Sequence, residues 1–537
     1  MMQRILGFLF LFLSISAFVQ CARRGAPSGG DKDITPPKLI RAEPKNMSVN
    51  FKEKKIRLYF DEYIKLKDVQ NQLIISPPLK YTPLISPQGS PSKFVEIIIK
   101  DTLKQNTTYT FNFGQSIIDN NEGNPNRFLS YVFSTGDYID SLSVSGVVKD
   151  GFHKNADTFI SVMLYEIDST YTDSTIYKRP PNYLTNTLDS TTIFHLKNLK
   201  EGKYAIFGLK DEAKNNIFDQ KTDKIAFIKD TVSLPTDSIY LLTLFKEIPD
   251  YSISVPNFAS RNKIIFGYQG LGKDIEITPL TKLPDTVKTL VTKEPKKDTL
   301  NFWFTPFKTD SIVFMVTNTK EKLRDTFSVK TRKVGMDTLN LQPNQRGTLK
   351  FGNPLYITSN TPITNIDSTK ISMMRKDSST VKMHPTLDRK DNTVAISFDL
   401  EPNEKYDLKL LPGAIEDFFG TVNDTLLYPF TTQSLADLGN LRLTLEGEVT
   451  YPLIAQLTDE KGVTKKELFA TKPGVLEFSH IEPAKYVIRV IHDTNGNQKW
   501  DTGNYLQKLQ PEKVSYYPTI LEVRANWELE QTFTLLK

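Results

Sequence analysis

Hydrophobic and polar residues alternate with a period of two along almost the whole chain. Ile56, Leu58 and Phe60 alternate with Arg57, Tyr59 and Asp61, and Tyr109, Phe111 and Phe113 with Thr110 and Asn112. Val394, Ile396, Phe398 and Leu400 are separated by Ala395, Ser397 and Asp399. Near the end, Trp527, Leu529, Phe533 and Leu535 fall on one face, with Glu528, Glu530, Thr532 and Thr534 on the other. This spacing predicts strands with one buried and one wet face, typical of antiparallel sheets. After residue 20 the only helical pattern is about one turn over Lys65–Leu73.

The chain also repeats itself. Leu103, Asn106 and Tyr109 recur as Leu400, Asn403 and Tyr406, a displacement of 297 that also carries Gly123 onto Gly420, Tyr131 onto Tyr428 and Phe133 onto Phe430. A second repeat, displaced by 282, carries Lys203-Tyr204 onto Lys485-Tyr486, Ile206 onto Ile488, Asp211 onto Asp493, Asn215 onto Asn497 and Asp219 onto Asp501. Two units therefore recur in the order A, B, a middle segment, A, B, which is the pattern of a tandem array. A length of 537 residues supports this, since one core serves about 100–150 residues. Turn-rich gaps place A1 at 36–140, B1 at 141–248, M at 249–338, A2 at 339–435 and B2 at 436–537. M has strand patterns of its own, at 263–266, 299–303 and 311–314. Aromatic residues are plentiful (Phe 33, Tyr 22) and Pro and Gly are scattered, as many short strands joined by turns require.

The N-terminus changes the picture. Arg4 precedes a nearly unbroken apolar run, Ile5 to Val19, and Cys21, the chain's single cysteine, follows after Gln20. The run has the length of a signal peptide and is short of the about twenty residues of a spanning helix. Residues 21–35 are polar and rich in Gly, Ser and Pro, the composition of a flexible tether. One unpaired thiol behind a signal sequence points to lipid attachment at Cys21, although Gln20 stands where that pattern carries a small residue. The net charge of +6 is spread over 68 basic and 62 acidic residues. It forms no basic run, so nucleic acid is not an expected partner.

These landmarks resemble known families. The A units, with Asp33-Ile-Thr-Pro36-Pro37, the Leu-x-x-Asn-x-x-Tyr turn and the closing Phe-Ser/Thr-Thr strand, resemble the bacterial Ig-like domain. The B units, with Gly202-Lys203-Tyr204 and Ala484-Lys485-Tyr486, resemble transthyretin-like or collagen-adhesin B-type sandwiches. The whole arrangement is similar to the Ig-like envelope lipoproteins of Bacteroidota. The resemblance implies an all-β fold: a tandem array of about five β-sandwiches, Ig-like and transthyretin-like, behind a lipoprotein signal peptide of residues 1–20. It also implies a lipid anchor in the cell envelope, at the outer membrane, and the basic Arg23-Arg24 after Cys21 favours its periplasmic face over the cell surface. Extended end to end, five domains of about 40 Å would reach on the order of 200 Å.

Candidate chemistry is sparse. The five histidines, His153, His195, His384, His480 and His492, show no zinc spacing, and no nucleophile elbow or phosphate loop is present. His492 is expected to be a surface histidine. The one ligand-like pattern is Asp493, Asn495, Asn497 and Asp501, which starts like a calcium loop but carries Gln498 in place of glycine and Asn504 in place of the closing Glu. A turn closed by its own Asp and Asn side chains is the competing reading. Trp500, Tyr516 and Tyr517 form a candidate glycan platform, or else cap a sandwich core. The sequence thus predicts a non-catalytic spacer or scaffold without a cofactor, bound to the membrane through its lipid and to an unidentified envelope protein or glycan. A glycan- or calcium-dependent binding module is the alternative, and an enzyme with an unrecognised site in M is the third reading.

Overall fold

A computed structural model describes residues 32–127, 129–187, 191–295 and 297–536. Cys21, the apolar run and most of the tether lie outside the described residues. The chain forms two compact units. One holds the described residues up to Leu142 with Lys197–Lys200, and the other holds Ser143–Leu196 and the residues from Glu201 onward.

The first unit contains the A1 strands. One sheet orders Leu39–Glu43, Lys55–Leu66, Ser92–Ile98 and Leu84–Ser86, with Ile117–Asp119 added to Lys55–Leu66. The other orders Ile74–Ser76, Thr108–Asn112 and Ser130–Ser134. The alternation read from the sequence sets the faces: Ile56, Leu58 and Phe60 join Val95, Ile97, Tyr109, Phe111 and Phe133 in one core. The helical pattern over Lys65–Leu73 shrinks to a single turn, Val69–Gln72, because the long strand runs on to Leu66.

The second unit holds two main sheets in each of its four segments, and A2 adds a two-stranded sheet, Ile363–Ile366 with Ile415–Asp417. In the B segments the last strand lies parallel to the first: Ile239–Leu244 beside Leu142–Asp150, and Glu528–Leu535 beside Gly439–Gly447. The other B sheets are built on Ser161–Glu166 paired with Gly202–Lys210, and Leu453–Thr458 paired with Ala484–His492. M pairs Lys263–Gln269 with Thr299–Phe304, and Ser311–Asn318 with Leu323–Lys330. A2 packs a sheet around Thr393–Phe398 on one around Lys405–Leu410. The fold is all-β, with β-sandwiches in tandem.

The 297-residue displacement is visible as bonds. The hydroxyl of Tyr109 accepts the Lys104 N–H, and that of Tyr406 accepts the Glu401 N–H, both at 2.9 Å. Thr135 Oγ1 donates to Lys104 O and Thr432 Oγ1 to Glu401 O, both at 2.6 Å. Each threonine oxygen also accepts a backbone N–H, from Thr107 at 3.0 Å and Glu404 at 2.9 Å. The hydroxyls of Tyr131 and Tyr428 close the other end of each sandwich on Pro44 O and Leu341 O. Asn106 and Asn403, at φ 47° and 56°, make the left-handed turn that brings these groups together. The repeated residues are thus braces where chain crosses between sheets.

Thr432 is the sharper of the two brace threonines to test, being buried. Thr432→Val keeps its shape but strands the Glu401 carbonyl and the Glu404 N–H. It is expected to lower stability by about 1–3 kcal/mol, read as a shifted urea midpoint at unchanged slope.

Candidate interaction site

The Asp493 loop follows the strand Ala484–His492. Asp493 is fully buried, its Oδ1 accepting the Asn497 N–H (3.1 Å) and its Oδ2 the Gln498 N–H (2.8 Å). Asn495 Oδ1 accepts the Asn497 N–H and Asn497 Oδ1 the Lys499 N–H. The side-chain amides of Asn495 and Asn497 both donate to Asp501 Oδ2. The four candidate calcium ligands are therefore brought together, in a loop closed by its own Asx side chains. Among the described residues no group of three or more His, Cys, Asp and Glu side chains gathers around a common point. A cation here would require the two asparagines to give up their bonds to Asp501 and offer oxygen instead.

Sequence reasoning missed the group that ties this loop down. Glu512 Oε1 accepts the Thr494 N–H and hydroxyl, and its Oε2 accepts the Asp501 N–H. In B1, Asp223 does the same work: Oδ1 accepts the Glu212 N–H and Oδ2 the Asp219 N–H. Glu212 and Asp219 map onto Thr494 and Asp501 at the displacement of 282, but Asp223 maps onto Glu512 at 289. The strands that follow keep 289: Ile225 and Val232 correspond in pairing to Val514 and Leu521. B2 thus carries seven extra residues (289 − 282) between two otherwise equivalent loop ends.

Those extra residues project onto B1. Tyr505 is buried with its ring edge-on to Phe207 (5.1 Å) and Phe227 (5.2 Å), both of B1. Its hydroxyl donates to Asp173 Oδ1 at 3.2 Å and lies 3.4 Å from the Tyr171 hydroxyl. Its backbone N–H donates to Glu247 Oε1, whose other oxygen takes the Gln220 amide at 2.9 Å. Burial pushes the Glu247 carboxyl above the usual range and the Tyr505 phenol far above its own. Lys508 pairs with Asp173 at 2.7 Å, Thr502 Oγ1 donates to Lys246 O at 2.6 Å, and Gln510 donates to Phe227 O at 2.9 Å.

A second contact runs the other way. Phe152 of B1 packs on Trp500 at 4.7 Å, under the Arg489 guanidinium at 4.2 Å, and its carbonyl accepts the Tyr516 hydroxyl. Arg489 and Tyr516 are the B2 counterparts of Phe207 and Phe227, at displacements of 282 and 289. Equivalent faces of the two B sandwiches therefore meet. The candidate platform residues divide accordingly: Trp500 and Tyr516 turn to Phe152, whereas Tyr517 meets Phe533 edge-on at 5.4 Å and donates to Gln531 at 2.7 Å. His492 is not a surface residue. It is buried, with Thr450 Oγ1 and Ser515 Oγ each 3.2 Å from a ring nitrogen, because the strand carrying it is covered on both sides.

Successive sandwiches of this unit are also joined. Gln220 Oε1 accepts the Asp250 N–H, Trp303 of M lies 6.3 Å from Phe419 of A2, and Lys350 of A2 pairs with Glu482 of B2 at 2.9 Å. With B2 on B1 these contacts close a cycle, B1–M–A2–B2–B1. The end-to-end extension expected from the sequence therefore does not hold within this unit, where the first and last sandwiches touch.

The sequence profile of the bacterial Ig-like domain matches residues 33–135, the A1 stretch. The protein is accordingly a tandem β-sandwich array that carries a bacterial Ig-like domain. Among solved structures it is similar to surface layer protein SbsC, domains 1–6, at 12% identity over 91% of this chain and 67% of that one, with a TM-score of 0.15. It is also similar to BcpA*, the major pilin subunit of Bacillus cereus, at 10% identity over 74% and 99% of the two chains, with a TM-score of 0.13. A third is SGBP-B of the Bacteroides ovatus mixed-linkage glucan utilization locus, at 9% identity over 72% and 92%, with a TM-score of 0.17. Scores this low carry nothing about role. No curated protein sequence matches the chain.

Burial and the nearby Lys513 ammonium hold the His492 pKa below the ordinary histidine value. The unfolded chain then takes up the proton first, at about pH 6.5. Stability present above that pH is lost as pH falls toward the folded-state value. His492→Gln should flatten this fall, seen by comparing urea midpoints of the two proteins at pH above and below the histidine range.

Proposed function

We propose that the protein is a lipid-anchored, non-catalytic scaffold of the cell envelope, whose cycle of sandwiches forms a preassembled platform for another envelope component. The observation that supports this reading is how B1 and B2 spend their buried polar and aromatic groups. Glu247, Glu512, Asp223, Tyr505 and Trp500 all bond or pack to hold one loop or one sandwich to the next. A catalytic carboxylate or phenol would instead be held free to meet a substrate. The apolar run Ile5 to Val19 shortly before Cys21 supports attachment by thioether-linked lipid, two or more acyl chains being what stable anchoring takes.

The test is fractionation of cells that express the full chain. The parent protein is expected with the membranes and labelled by a fatty-acid analogue, and Cys21→Ser is expected to abolish the label and release the protein. Retention of the label in Cys21→Ser would sink the anchor. Protease shaving of intact cells reads the leaflet: B2 should survive until lysis if it faces the periplasm.

A further inference from the structure

B1 and B2 offer an internal comparison that separates what a B sandwich needs from what B2 has added. B1 closes its loop with three residues between Asp219 and Asp223, and B2 uses ten between Asp501 and Glu512, yet both end in a buried carboxylate that accepts equivalent backbone N–H groups. The fold of the sandwich therefore does not call for the extra length. Nearly every bond the added segment makes outside itself goes to B1: Thr502 to Lys246, Tyr505 to Glu247 and Asp173, Lys508 to Asp173, Gln510 to Phe227.

The fit is close on both sides. A Cβ on Gly503 would stand 2.7 Å from the Phe245 ring of B1, and one on Gly151 of B1 would stand 3.1 Å from Pro511. Asn504 and Leu509 exchange backbone hydrogen bonds at 2.9 and 2.8 Å, so the segment is a small hairpin with Tyr505 at its head. B1 in turn supplies a socket in which an aromatic slot, Phe207 and Phe227, is flanked by two acceptors, Glu247 and Asp173.

We infer that the hairpin within 502–510 is a docking key whose partner is the B1 sandwich, and that closure of B2 onto B1 depends on it while the folding of B2 does not. Tyr505 is the anchor, since a buried aromatic ring with a bonded hydroxyl is the usual centre of an interface. Glu247 positions the key by holding its backbone N–H. The face pairing of Phe152 with Trp500 and Arg489 orients the sandwiches but leaves the contact open without the key. This inference stands whether or not the chain is lipid-anchored.

The experiment uses the full chain in a Cys21→Ser background, with cysteines placed at Lys154 and Pro518, which the contact brings together at 3.3 Å from Nζ to O. A short bismaleimide then reports closure. In the parent the cross-link forms readily. Deletion of residues 503–509 leaves three residues between Asp501 and Glu512, as in B1, and should cut the cross-link yield about tenfold or more, the loss expected of an interface anchor, with the melting of B2 unchanged. Tyr505→Ala should do the same. A cross-link yield equal to that of the parent in Tyr505→Ala overturns the inference, whatever the deletion does. Loss of the cross-link in Tyr505→Ala together with unfolding of B2 also overturns it, because the key would then be part of the fold.

Discussion

The central strands of the B sandwiches are covered on both faces, and much of the second unit follows from that. In Leu453–Thr458 all six residues are buried, and in Ala484–His492 every residue from Tyr486 to His492 is buried. A strand in a lone sandwich needs only alternate positions apolar, because one face is in water. Here Tyr486, Ile488 and Val490 serve the B2 core, which leaves Val487, Arg489 and Ile491 on the opposite face. B1 shows the same doubling along Ser161–Glu166 and Gly202–Lys210. Sheets with two apolar faces demand a cover, and each B sandwich covers the other. Arg489 illustrates how a charge is kept in such a place: its guanidinium donates to Gln456 and Thr464 and lies against the Phe152 ring.

Tethering makes a modest contact between B1 and B2 sufficient. M and A2 connect them and are themselves joined to their neighbours, so the two faces meet at an effective concentration set by the chain and not by the bulk. The contact is rich in polar groups, including Glu247, Asp173, Lys508 and Arg489, and so resembles an interface between domains more than a divided core. Desolvating Glu247 works against docking, and the N–H of Tyr505 and the amide of Gln220 offset that cost. The balance gives specificity: a key without a donor at Tyr505 N would leave the Oε1 of the buried Glu247 carboxyl without its partner, with only Oε2 bonded, to Gln220.

Much of the fold was legible because strands with one wet face announce themselves by alternation. The A repeat was legible for a related reason. Asn106, Tyr109 and Thr135 recur as Asn403, Tyr406 and Thr432 because each takes part in a turn that few other residues could make. The B1–B2 contact was written in the sequence in a different form. Runs such as 160–165 (ISVMLY) and 486–491 (YVIRVI) lack alternation, which is the mark of a strand buried twice, but a short apolar run can equally belong to the middle of any sandwich. Glu512 and Asp223 were invisible for a simpler reason: a carboxylate that closes a loop is one acid among 62 until its partners are known. The ungapped displacement of 282 stopped at Asp219 and Asp501, and that stop was itself the signal of an insertion.

The asymmetry of the contact decides what it can build. Two equivalent faces meeting about a local two-fold would close on themselves and need nothing more. The hairpin breaks that equivalence, for B2 has it and B1 has only Gln220, Lys221 and Thr222 between the same loop ends. The socket is equally one-sided: Phe207 and Phe227 accept the Tyr505 ring, whereas the same positions in B2 are Arg489 and Tyr516 and receive Phe152. A B1–B1 or B2–B2 pairing would set ring against ring without a key, or guanidinium against guanidinium. The pairing is thus one of unlike halves, and together with the contacts through M and A2 it closes the cycle of four sandwiches.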